Sequence, residues 1–155
     1  MNDKIIKNFN KCMSPEDTLI HIGDYCFNGN ASNNKGNGIG VKAIDYENRI
    51  HAKLILIKGN HDKSSNTTKA IIHNMVIQLG GFEIFLTHKP QNYNPNYLIN
   101  LVGHRHTDMT HEIKDDCILI NVGVDVWNFK PITIEDIYKK YGKIIFELKK
   151  KRGIK

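Results

Sequence analysis

Apolar residues recur along this chain at two spacings, and those spacings divide it into helices and strands. Ile5, Ile6, Phe9 and Cys12 or Met13 follow one another at helical intervals, which predicts an amphipathic helix over residues 2 to 12. Ser14-Pro15-Glu16-Asp17 then breaks the period. Short apolar runs predict strands at 18 to 24, 53 to 58, 75 to 79, 82 to 87, 99 to 103 and 117 to 123, with Gly80-Gly81 as the hairpin turn between the third and fourth. Residues 28 to 40 are rich in Asn, Gly, Ser and Lys and read as a loop leading into a helix from about 40 to 50. A short helix is expected near Thr67 or Thr68. Thr133-Ile134-Glu135-Asp136 has the form of a capping box, so a helix should run from about 133 to 141, and Lys143 to Leu148 reads as a last edge strand. The alternation of helix and strand, with one hairpin inserted, predicts an α/β sandwich.

Four of the apolar runs end in polar clusters. Gly23-Asp24 follows Leu19-Ile20-His21-Ile22, and Gly59-Asn60-His61-Asp62 follows Leu54-Ile55-Leu56-Ile57. Thr87-His88 follows Ile84-Phe85-Leu86, and Gly103-His104-Arg105-His106 follows Leu101-Val102. Strand ends are where α/β proteins gather their chemistry, and four ends that carry carboxylate, amide and imidazole groups point to one metal site. Mixed nitrogen and oxygen donors suit Mn²⁺, Fe²⁺, Zn²⁺ or Ni²⁺ better than Ca²⁺. His104 and His106 stand two apart, so on a straight strand they would share one face and reach adjacent ions, with Arg105 pointing away. Asp62 can either orient its neighbours or cap a following helix. Cys26, two residues beyond Asp24, can face the same site, while His21, His51, His73 and His111 match no motif and read as structural.

The order Gly-Asp, Gly-Asn-His-Asp, Thr-His, Gly-His-Arg-His resembles that of the calcineurin-like metallophosphoesterases, from about residue 14 to residue 137. The segment Asn121-Val122-Gly123-Val124-Asp125-Val126-Trp127 is similar to the strand and loop after the last histidine pair in small bacterial and phage members. The resemblance implies a four-layer α/β/β/α sandwich and a metal-activated hydroxide that hydrolyses phosphodiesters or small phosphorylated compounds. It further implies Asp24 as the carboxylate bridging two ions, Asn60, His88 and His104 completing the second ion's shell, and His106 on the first. His61 would face the phosphate as general acid, work to which an imidazole is well suited. The family opens on a strand ending in Asp-x-His, and this chain contains no Asp-x-His. The fold is therefore expected without its first strand, and the site with two metals or with one. Two readings of function stay open: a manganese-type phosphodiesterase, or an inactive scaffold or binding module of the same fold.

Composition narrows the setting. A chain of 155 residues, 40% hydrophobic and 25% charged, fits one globular domain. No apolar stretch approaches the roughly 20 residues of a membrane helix, and Met1-Asn2-Asp3-Lys4 leads into no signal-like block, so a cytoplasmic protein without membrane partners is expected. Cys12, Cys26 and Cys117 lack any paired spacing and read as reduced thiols. The net charge of +6 owes five of its charges to Lys149, Lys150, Lys151, Arg152 and Lys155, a run expected to be a solvated, frayed tail, with nucleic acid as a weaker alternative partner. Tyr93, Tyr97 and Trp127 read as packing aromatics before they read as a base-stacking surface.

Overall fold

A computed structural model describes residues 2 to 25, 43 to 62 and 72 to 154. The expected loop at 28 to 40, the helix near Thr67 and Cys26 lie outside the described residues. Helix α1 (Asn2–Cys12) leads into strand β1 (Thr18–Ile22), which pairs in parallel with β2 (Lys53–Ile57), and the short helix α2 (Ala43–Glu47) lies between them in sequence. Strands β3 (Asn74–Leu79), β4 (Phe82–Thr87), β5 (Ile99–Val102), β6 (His111–Lys114) and β7 (Cys117–Asn121) form a five-stranded sheet in the order β3-β4-β5-β7-β6. Helix α3 (Ile134–Lys151) closes the described chain. The mixed α/β fold expected from the alternation of elements is the one found. No helix among the described residues is long and apolar enough to cross a membrane.

The central strands β4, β5 and β7 are parallel neighbours with both faces buried, which explains their continuous apolar runs. One face carries Ile84 and Leu86, Ile99 and Leu101, and Ile118 and Ile120. These share a core with Ile22 and Ile57 of the small sheet and with Ile137, Tyr141, Ile145 and Leu148 of α3. The other face carries Phe85, on which Tyr97 stacks at 5.5 Å, and Asn100, which hydrogen-bonds the Asn94 and Tyr97 backbone. On the small sheet, Leu19 turns the opposite way from Ile20 and packs with Phe9 of α1, Ile50 and Ala52. Among the described residues β1 has β2 as its one partner strand, and its other flank borders a cavity of about 640 Å³ lined by Ile20, Ile22, Ile84, Leu86 and Leu101.

Two expectations are corrected. Lys143 to Leu148 is not an edge strand but the middle of α3, because Ile137, Tyr141, Ile145 and Leu148 fall on one helical face against the sheet. The capping box at its start is present: Thr133 Oγ1 accepts from Asp136 N, and Asp136 accepts from Thr133 N. The basic run from Lys149 is not a frayed tail, since the helix continues through Lys151. Lys151 pairs with Asp116 at 2.6 Å, Arg152 donates to the Asn96 carbonyl at 3.2 Å, and Lys149 lies over the Phe82 ring. Strand β6 escaped the sequence pattern because His-Glu-Ile-Lys is a mostly exposed edge. Its turn into β7 is Asp115-Asp116, both at positive φ (49° and 57°), a pair that tolerates the left-handed region as a two-residue hairpin requires.

Candidate metal centre

The motif residues lie at or just past the C-terminal ends of β1, β2, β4 and β5, of which β1 is parallel to β2 and β4 to β5, and contacts among Asp24, Asn60, His88 and His104 bring the four sequence clusters together. Asp24, His88 and His104 can each offer a ligand atom, and those atoms lie within 4.8 Å of one another. His88 is almost fully buried, and both its nitrogens are engaged. Its Nδ1 lies 2.9 Å from the Ile22 carbonyl, while Nε2 lies 3.0 Å from Asn60 Oδ1 and 3.2 Å from Asp24 Oδ2. A carbonyl only accepts, so Nδ1 must carry a hydrogen. Nε2 then faces two oxygens, and in the absence of a cation the arrangement is satisfied by a second proton on the ring.

The titration behaviour of the pair reflects this crowding. Burial works to raise the Asp24 carboxyl, but the bond from His88, the His61 backbone N–H at 2.9 Å and the two nearby imidazoles bring it down to about 2. Burial works to lower His88, yet its contacts with Asp24 and the Ile22 carbonyl leave it raised above the ordinary imidazole value. His104 meets the His88 ring edge-on at 5.1 Å and is lowered, first by burial and then by the His88 charge. An ionised carboxylate, an amide oxygen, and two imidazoles of which one is kept neutral form a donor set that fits a divalent transition ion.

The backbone is bent to bring these groups together. Asp24, His104 and His106 all have left-handed φ, 55°, 69° and 45°, a conformation disfavoured for side-chain-bearing residues and concentrated at functional sites. Two glycines make the approach possible. A Cβ on Gly23, whose φ is +82°, would fall 2.2 Å from the His88 ring, and one on Gly59 would fall 2.1 Å from Asp24 N. The glycines that open the Gly-Asp and Gly-Asn-His-Asp motifs thus set how closely the β1 and β2 loops approach the site. Asp62 accepts from Gly59 N at 2.9 Å and orients its own loop, the first of the two roles left open for it. Whether it also caps a following helix falls outside the described residues.

No family model matches this chain. An uncharacterised protein of Methanocaldococcus jannaschii, MJ1445, is 29% identical to it over 155 residues, an alignment spanning 94% of this chain and 78% of the relative. Among solved structures, the protein of unknown function AQ665 from Aquifex aeolicus overlays with a TM-score of 0.61 and 23% identity, covering 89% of this chain and 83% of that one. The two proteins share a fold. An archaeal phosphodiesterase overlays with a TM-score of 0.49 and 20% identity, over 79% of this chain and 74% of its own.

Not every expected ligand reaches the inner group. His106 and His104 do not share a strand face, because β5 ends at Val102 and both residues sit on the turn beyond it. Arg105, between them, is exposed, and its backbone N–H closes onto the Gly103 carbonyl. The His106 side chain is 79% exposed and stands outside the inner cluster, with Nδ1 2.8 Å from Asp125 Oδ2. Asn60 and His61 are exposed beside the inner group, where the His61 backbone bond to Asp24 holds the residue in place. Sequence reading missed Asp125 and the Ile22 carbonyl. The first sits in the Asn121 to Trp127 segment already noticed but unassigned, whereas a backbone acceptor leaves no trace in residue identity.

Proposed function

We propose that this chain is a metal-dependent phosphoesterase acting on phosphodiesters or small phosphorylated compounds. The observation that carries the reading is the convergence of Asp24 Oδ2 and Asn60 Oδ1 on His88 Nε2, at 3.2 and 3.0 Å, with His104 beside them. Asp24, Asn60, His88 and His104 would hold the ion, and their mixed nitrogen and oxygen donors suit Mn²⁺, Fe²⁺, Zn²⁺ or Ni²⁺, of which Mn²⁺ is the probe used in the test below. Bound divalent ions supply Lewis acidity toward a phosphoryl oxygen and lower the pKa of coordinated water. The chain's own groups do the rest. Asp24, ionised down to about pH 2, presents two carboxylate oxygens, one toward His88 and one held by the His61 N–H. His61, exposed and tethered to Asp24 through its backbone N–H, would give a proton to the leaving oxygen. The resemblance described from the motifs supports the same assignment.

The test is Mn²⁺-dependent hydrolysis of a chromogenic phosphodiester together with calorimetric Mn²⁺ binding. Asp24→Ala is expected to abolish both. His61→Ala is expected to keep the ion and lower kcat by about 10² to 10⁴, the span typical for loss of a general acid. If folded wild-type protein binds Mn²⁺ at the inner group yet hydrolyses no phosphoester offered, the enzymatic reading fails and a metal-holding binding module takes its place.

A further inference from the structure

His106 has the appearance of a loose surface histidine, yet the contacts around it are specific. Asn121, wholly buried at the end of β7, donates through Nδ2 to the carbonyls of His106 and Met109, both at 2.7 Å. Its Oδ1 accepts from Gly123 N at 2.8 Å, and its own carbonyl receives Trp127 Nε1 at 2.8 Å. The 3-10 turn Val124–Val126 lies between those two anchors and carries Asp125. One buried amide therefore ties the backbone of His106 to the turn that brings Asp125 Oδ2 within 2.8 Å of His106 Nδ1.

A carboxylate accepts and cannot donate, so the contact places the hydrogen of a neutral ring on Nδ1 and leaves the Nε2 lone pair open. A carboxylate behind an imidazole is the arrangement that fixes tautomer and ring orientation in metal sites. His106, Asp125, His104 and Asp24 border the same cavity. We propose that Asp125 is a positioning residue that holds His106, through Nε2, as a ligand for a second divalent cation beside the one at Asp24, Asn60, His88 and His104. The proposal rests on the metal-centre reading, and it does not require that the chain hydrolyse anything.

The experiment is Mn²⁺ titration of the full chain by calorimetry, without substrate, for wild type, Asp125→Ala, Asp125→Asn and His106→Ala, with thermal melts to verify folding. Two binding events are expected in wild type. Asp125→Ala should weaken the weaker event about 10- to 100-fold, the usual effect of losing a ligand's hydrogen-bond partner, and leave the tighter one within about twofold. His106→Ala should remove the weaker event, adding Asp125→Ala to it should change nothing more, and Asp125→Asn, whose amide oxygen still accepts from Nδ1–H, should fall between. A single event in wild type, or two events unaffected by Asp125→Ala, overturns the proposal. Nitrogen NMR of the metal-free wild type gives an independent readout that needs no variant: Nδ1–H is expected at His106, and an Nε2–H tautomer overturns it. Hydrolysis lost with Asp125-dependent binding intact sinks only the phosphoesterase reading. Hydrolysis present with binding indifferent to Asp125 sinks only this one.

Discussion

The inner and outer halves of the site are held in different ways. The inner half is packed: the His88 side chain is 5% exposed and Asp24 25%, both ring nitrogens of His88 are engaged, and glycines let the loops close to van der Waals distance. The outer half is hung: His106 projects into solvent, and its position depends on one carboxylate and on the amide of Asn121 behind both loops. A packed ligand set keeps its geometry before any ion arrives, because moving one group would break several contacts at once. A hung one keeps it only as long as its few hydrogen bonds last. The inner site should therefore bind first and tightly, and the outer site should be the one that responds to small changes in the protein.

The harshest way to break this contrast is to cut the amide that suspends the outer half. Asn121→Ala would leave the His106 and Met109 carbonyls and the Gly123 N–H without their partner. A buried group so orphaned costs about 1 to 3 kcal/mol; these three bonds are part-buried and water can reach the vacated space, so the expected loss is about 2 to 4 kcal/mol in a denaturant melt. Any protein that remains folded should still bind Mn²⁺ at the inner group. A loss below about 1 kcal/mol would show that the two loops hold themselves in place.

The inner half is best broken through its closest approach. In Gly59→Ala the new Cβ must displace Asp24, whose backbone nitrogen and Oδ1 would lie 2.1 and 2.2 Å away. Overpacking of that kind costs about 1 to 3 kcal/mol, and if the displaced atoms belong to a ligand, as proposed, Mn²⁺ affinity should fall as well. Stability lost with affinity unchanged would mean that Asp24 can shift without consequence, and the packed description of the inner half would be wrong.

The residues involved also show how far sequence carries. That Asp24, Asn60, His88 and His104 lie together was legible because each follows an apolar run whose periodicity locates a strand end, and parallel strands bring their ends together. The ends of α1 and the Gly80-Gly81 hairpin were legible for the same local reasons, a break in helical spacing and a glycine pair between strands. Pairing His106 with Asp125 was not, because it joins loops 19 positions apart through a side chain, Asn121, that reads as one more polar residue at a strand end. Lys143 to Leu148 misled because the contiguous apolar run Ile144-Ile145-Phe146 looks strand-like in a short window. The tertiary fact that one helical face covers the sheet decides it.

The mildest probe acts under the inner half, at His21. Its Nδ1 is buried without a hydrogen-bond partner, its ring meets Tyr25 edge-on at 4.9 Å, and burial drives its pKa down to about 4 against the pull of Asp62 and Asp24. A histidine depressed on folding contributes stability that is complete above its unfolded value near 6.5 and is lost as pH falls toward 4. His88 acts in the opposite sense in metal-free protein: raised on folding, it stabilises below 6.5 and that contribution fades as pH rises through its folded value. Metal-free wild type should therefore lose stability on acidification by less than His21 alone dictates, and His21→Leu should remove the loss and leave the His88 gain. Between pH 7 and pH 5 the variant is expected to improve on wild type by about 2 kcal/mol, an upper figure for a shift from 6.5 to about 4. Denaturant melts at the two pH values, in chelator, read the difference directly. Equal acid sensitivity in variant and wild type would show that His21 takes up its proton without cost, and that the floor of the inner half is wetter than its packing implies.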